Sequence, residues 1–246
     1  MNADQRPQHA DPAVDARPSP AAKRRRERPR RGGHARLAKG RYRSLTPALL
    51  VRELADHADR RPEPRPRIGF DGFAEAGVAE LADAVGERLR ELGRPVIRAS
   101  THWWWRAASL RLELGRTDTD MLLHGWVDTP ALRRELLEPV GAGDVDGYLP
   151  RLRDPVTDRA IRDHRVPVPD GSVVLLDGPF LVADPVGLDA VIHLQLSPAA
   201  LARVMPDERQ WWVTAYRRYL ADERPADRAD AVLAYDHPAA PAIAWR

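Results

Sequence analysis

The residues best placed to do chemistry lie in one loop. Asp71-Gly72-Phe73-Ala74-Glu75-Ala76-Gly77-Val78-Ala79 follows a short apolar run, Arg67-Ile68-Gly69-Phe70, and opens onto a helical pattern. Two glycines five positions apart, between a strand and a helix, are the spacing of a loop whose backbone amides cradle phosphate. Such a loop ends in Lys and then Ser or Thr, and here Val78 and Ala79 stand in those two places. Glu75 adds a carboxylate, which at 4 Å would repel a phosphate by about 1–4 kcal/mol across effective dielectrics of 80 to 20.

Three further groups could take part. Ser100-Thr101-His102-Trp103-Trp104-Trp105-Arg106 follows a second apolar run. His102 can accept a proton near neutral pH. Trp103, Trp104 and Trp105 would either close an apolar cleft or offer a stacking platform to a planar ligand. Asp177 ends the most apolar run of the chain, Val173-Val174-Leu175-Leu176. Arg203, Arg209, Arg217 and Arg218 flank Trp211-Trp212; they could bind phosphate bidentately or simply form a solvated helix face.

Other patterns are weaker. Asp118-Thr119-Asp120 is a bare D-x-D, and Asp144-Val145-Asp146-Gly147 is a fragment of a calcium loop without its closing Glu; both read as loop acids. Ser172 and Ser197 lack a nucleophile-elbow setting. The histidines form no zinc-type spacing, so no metal site is expected.

The elements that must position these groups alternate. Thr46 reads as an N-cap with Pro47 at the first helical position, and Arg61-Pro62-Glu63-Pro64-Arg65-Pro66 as a stiff linker. Strands are expected over 67–71, 95–99, 172–177, 190–196 and 231–234. Helices are expected over 78–92, 129–137 and 208–223, with another from Ser197-Pro198. Apolar strands alternating with helices make an α/β fold, a three-layer arrangement around a parallel sheet.

Composition sets further bounds. The chain has 246 residues and a formal net charge of +3, but the charge is unevenly placed. Residues 21–43 hold eleven basic residues and one acid, Glu27, while the body is net acidic. The only lysines are Lys23 and Lys39, so the body from Ser44 to Arg246 has no ammonium group to offer. Residues 1–44 read as a disordered basic tail and residues 45–246 as the folded domain. The tail could contact nucleic acid or another acidic partner electrostatically, or merely solubilise the chain. No cysteine means no disulfide, thiolate nucleophile or iron–sulfur cluster. No apolar run reaches the roughly 18 residues of a membrane span, and cytoplasmic residence is expected.

In order and wording, residues 45–236 resemble the uridine kinase-like branch of the P-loop nucleoside kinases. Ile68-Gly69-Phe70-Asp71-Gly72 is similar to the first strand and its turn. Gly93-Arg94-Pro95-Val96-Ile97-Arg98-Ala99-Ser100 resembles the second strand, and Leu132–Pro139 the helix before the substrate-side insertion. Val173–Leu181 looks like the strand that faces magnesium. Tyr219–Pro225 and Arg228–Val232 are similar to the closing helix and last strand. The resemblance implies a P-loop nucleoside triphosphate hydrolase-like fold, ATP and Mg²⁺ as cofactors, and a nucleoside or nucleotide as ligand. It also implies that Val78 replaces the phosphate-neutralising lysine and Ala79 the magnesium hydroxyl. Glu75 stands where a glycine is usual, and His102 falls near the expected nucleoside-binding Asp. The expectation is a homologue impaired or inactive in ATP-dependent phosphoryl transfer, acting in ligand or partner binding. The alternative is an active or weakly active uridine kinase that uses lid arginines, backbone amides and Asp177. A third reading is a nucleic-acid-associated module acting through the tail.

Overall fold

A computed structural model describes residues 42–246. The basic tail lies outside the described residues, apart from its last positions.

Seven strands form one sheet: β1 (Arg43–Ser44), β2 (Arg67–Asp71), β3 (Val96–Ser100), β4 (Val173–Gly178), β5 (Ala190–Gln195), β6 (Ala231–Ala234) and β7 (Ala242–Trp245), in the order β1-β7-β6-β5-β2-β4-β3. The five strands from β3 to β6 are parallel, as the alternating pattern predicts. The expected parallel sheet needs one addition: β7 runs antiparallel to β6, and β1 antiparallel to β7. The sheet is therefore mixed at one edge. Every residue of β4 and β5 is buried, as strands covered on both faces must be.

The helices are α1 (Pro47–Asp59), α2 (Val78–Glu91), α3 (Ala108–Arg111), α4 (Thr119–His124), α5 (Thr129–Leu132), α6 (Glu138–Ala142), α7 (Pro198–Val204) and α8 (Trp212–Asp222). The caps act as their residue types require. Thr46 accepts a hydrogen bond from the Leu49 amide, and Ser197 from the Ala200 amide. A π-helical turn over Arg133–Leu137 joins α5 to α6, so the expected helix at 129–137 runs on to Ala142. The expected helix at 208–223 is broken into a short 3₁₀ turn, Asp207–Arg209, and α8.

The loop acids stabilise turns. Asp118 caps α4 by accepting from the Met121 amide at 2.7 Å, and Asp120 pairs with Arg218. Asp144 accepts from the Asp146 amide. Helix α2 packs on β3 and β4 and against α1, while α8 packs against α4 and α7. No helix among the described residues is long and apolar enough to cross a membrane.

Candidate functional site

Strands β2, β4 and β5 lie side by side at the centre of the sheet, and their carboxyl ends converge on the glycine-spaced loop. The loop is closed on itself. Ala74–Ala76 form a 3₁₀ turn, and Gly77 takes φ 85°, a left-handed conformation that a side chain would strain. The Ala76 and Val78 amides donate to the Phe73 carbonyl at 3.0 and 3.4 Å, and the Gly77 amide to the Ala74 carbonyl at 2.9 Å. Three of the donors that an anion-cradling loop turns inward are thus spent within the turn. Val78 is fully buried, and its side chain lies against Gly72, where an added Cβ would meet it at 3.3 Å. Phe73 is buried edge-on to Phe180 and Tyr216, with ring centroids 5.5 and 5.4 Å apart.

Glu75 and Arg209 form an ion pair across the mouth of this loop. Arg209 also lies over the Trp212 ring, 5.5 Å from its centroid. A carboxylate in the loop thus pairs with one of the arginines expected at the lid. The other expected lid residues disperse. Arg203 borders a cleft of about 460 Å³ that is also lined by Glu75, Gly77, Glu80, Asp236 and His237. Arg217 is exposed on α8, and Arg218 ties α8 to α4 through Thr119 and Asp120.

Asp177 is buried beside its register partner Ser100. Arg98 donates to its Oδ1 at 2.8 Å and the Ser100 hydroxyl to its Oδ2 at 2.9 Å. Both carboxylate oxygens are engaged by protein. No three His, Asp or Glu side chains among the described residues gather where they could hold a metal ion. Spent loop amides, an apolar Val78 and a paired Asp177 are a poor fit to a magnesium–nucleoside triphosphate.

His102 packs edge-on to Trp105 at 4.7 Å. Burial holds its pKa below the usual imidazole range, and the positive field of Arg209 adds to this against the opposing fields of Asp177 and Glu75. The neutral, proton-accepting form is therefore favoured. The three adjacent tryptophans part company. Trp104 is fully buried in the core, Trp103 carries the Arg151 guanidinium on its face, and only Trp105 borders the cavity behind the loop. Trp126 and Trp212 meet Trp105 and each other there, at 5.2 to 6.4 Å.

One buried cluster was missed by sequence reasoning. Asp71, His193 and Tyr219 are each about 1% exposed. Asp71 Oδ2 accepts from His193 Nδ1 at 2.7 Å and from the Tyr219 hydroxyl at 2.6 Å. Its Oδ1 accepts from the Leu181 amide at 3.0 Å, while the Val182 amide donates to the Tyr219 hydroxyl at 3.2 Å. This cluster fastens the segment after β4 beneath the glycine-spaced loop. Register alone could have suggested part of it, because Asp71 and His193 are neighbours on paired strands.

Compared with known proteins, the chain matches no protein-family model and no curated protein sequence. Solved structures do match. A possible uridine kinase from Bacillus stearothermophilus superposes with a TM-score of 0.57 at 21% identity, over 74% of this chain and 96% of that one. The YGR205w protein superposes with a TM-score of 0.52 at 13% identity, over 82% of this chain and 99% of that one. A provisionally assigned fructose transport system kinase from Silicibacter sp. TM1040 gives 0.50 at 19% identity, over 75% and 95%. With the strand order, these define a P-loop nucleoside triphosphate hydrolase-like fold. Two of these neighbours are described as kinases, one of them a possible uridine kinase, and the shared fold agrees with the fold that the sequence resemblance implies.

Proposed function

We propose that this protein is a uridine kinase-like P-loop homologue that has lost ATP-dependent phosphoryl transfer and acts by binding a ligand or partner. The observation that carries the reading is the closed loop: its amides bond within the turn, and Glu75 pairs with Arg209 across it. Phosphoryl transfer depends on positioning and on charge that stabilises the transferring group. A loop that offers a carboxylate and a valine in place of a lysine supplies neither.

The test is a calorimetric titration of the full chain with Mg-ATP, beside an assay of phosphate transfer to uridine. No saturation and no transfer are expected at micromolar ATP. Micromolar binding with turnover would establish the opposite reading, an active nucleoside kinase working through Arg209, Arg203 and the remaining amides.

A further inference from the structure

The cleft beside the glycine-spaced loop is lined with the same charge that a phosphate would bring. It measures about 460 Å³ and opens between the loop, the start of α2, helix α7 and the turn after β6. Three carboxylates belong to its wall: Glu75, Glu80 and Asp236. Glu80 Oε2 lies back over the loop, 3.8 Å from where a Cβ on Gly77 would stand. The amino end of α2, which favours an anion, thus already has one. Glu75 shows what this wall accepts, because it holds the Arg209 guanidinium. Glu80 and Asp236 are exposed and have no ion-pair partner among the described residues.

A second, independent feature is polar. Tyr235 is 7% exposed, packs in the core and belongs to the cleft wall. The hydroxyls of Tyr216 and Tyr219 are taken, by the Leu196 carbonyl and by Asp71. The Tyr235 hydroxyl bonds no group among the described residues and is not sealed from solvent, so it opens on the cleft. Burial, and then the field of Glu80, hold its pKa above the ordinary tyrosine range. It therefore keeps its proton and offers an oxygen lone pair to an incoming donor. Because the core fixes the ring, that contact forms without the ordering cost of a long exposed side chain.

Spacing and size limit the cation that fits. No three acidic or histidine side chains among the described residues converge where they could hold a metal ion. The cleft's carboxylates are spread over the loop, α2 and the turn after β6, so a cation that satisfies them carries charge at more than one point. At roughly 30 Å³ per water, 460 Å³ is about fifteen waters, more than a single ion and its first shell require. Leu196 and Ala200, both buried, offer apolar surface for methylenes between the charges. Arg203 is the fixed positive charge of the wall, and it is exposed on α7, where solvent screens it.

We propose that this cleft is a binding site for a small aliphatic polyamine. One ammonium group pairs with Glu80 and donates to the Tyr235 hydroxyl, another pairs with Asp236, and the methylenes between them lie on Leu196 and Ala200. The proposal gives a chemical class to the ligand-binding part of the functional reading above and rests on that part.

Spermidine titrated into the full chain by calorimetry, at fixed ionic strength and without ATP, tests it. A failure here therefore leaves the loop reading to its own assay. Saturable one-to-one binding is expected, and an equal concentration of magnesium chloride should not displace it. Glu80→Gln and Asp236→Asn, each removing one charge, should weaken spermidine about tenfold. In Asp236→Asn the side-chain oxygen still accepts from the Ser197 amide, as the carboxylate does. Glu87→Gln removes the same charge from an exposed position further along α2, outside the cleft, and should leave the affinity unchanged. Tyr235→Phe should weaken spermidine about fivefold. Arg203→Ala should tighten it about threefold, the reverse of its effect on a phosphate. Absence of saturation by spermidine would overturn the site. Displacement by magnesium, an equal loss in Glu87→Gln, or weakening by Arg203→Ala would overturn its chemistry. The magnesium comparison needs no variant, so the proposal stays testable should a substitution fail to fold.

Discussion

At the loop, two residues decide the electrostatics. Glu75→Gly removes the carboxylate and frees Arg209 from its ion pair, so saturable binding of Mg-ATP should become measurable by calorimetry where none is expected of the unsubstituted chain. Val78→Lys with Ala79→Thr should by itself gain nothing. Val78 is fully buried against Gly72, so the larger side chain overfills that hollow and should cost about 1–3 kcal/mol, read from the urea midpoint. The triple variant with Glu75→Gly should bind more tightly than Glu75→Gly alone. Beneath the loop, Tyr219→Phe removes a hydroxyl that donates to Asp71 and accepts from the Val182 amide. The loss should be about 1–3 kcal/mol, with faster exchange of the Leu181 and Val182 amides. His102 carries a pH signature. Its folded pKa lies below the ordinary 6.5 because of burial, so the unfolded chain takes up a proton first as pH falls. Stability should therefore decline as pH drops below 6.5, and His102→Gln should flatten that slope in urea titrations at stepped pH. His57, whose pKa burial and Arg61 also lower, contributes in the same direction.

At the scale of elements, what was legible in the sequence was local. Thr46-Pro47 and Ser197-Pro198 announce helix starts because a cap needs only its own neighbours. The five parallel strands are readable because each is an apolar run bounded by turn residues. Strand β7 is not, since Ala-Ile-Ala-Trp follows a proline-punctuated stretch and gains its identity only by pairing with β6. Helix α4 hid behind Asp118-Thr119-Asp120, which reads as a pair of loop acids, whereas Asp118 caps the helix and Asp120 in its first turn holds Arg218. The glycine-spaced loop was visible, with Val78 and Ala79 at its end. Its closure was not, because Arg209 comes from the far side of α7. Trp126 and Trp212 were equally out of reach: they meet Trp105 only through long-range packing, whereas Trp104, adjacent to it in sequence, points into the core.

For the whole molecule, charge is divided between a lysine-containing basic segment and a lysine-free acidic body. If residues 1–41 supply nucleic-acid affinity, the full chain should bind duplex DNA in a salt-dependent way that residues 42–246, which keep β1 and its pairing to β7, do not. Equal affinities at low and high salt would remove the tail from any account of function. The mixed sheet edge has its own consequence for stability. Ile243 is buried in β7, so Ile243→Ala should cost about 2–5 kcal/mol, measured by the denaturant midpoint.

Glu75, Val78 and Arg209 also bear on how such a protein can change. Each occupies the space or cancels the charge that its neighbours would need in order to serve a phosphate. Placing a lysine at position 78 alone leaves it facing a carboxylate from a crowded hollow. Removing the carboxylate alone leaves valine in the lysine's place. On the proposed reading no single substitution supplies both the charge and the space a phosphate needs, and a change at Val78 carries a stability cost of its own. On the proposed reading the loop acts as a ratchet: Glu75, Val78 and Arg209 hold one another in place, and no one of them can be exchanged to give a phosphate site without the others.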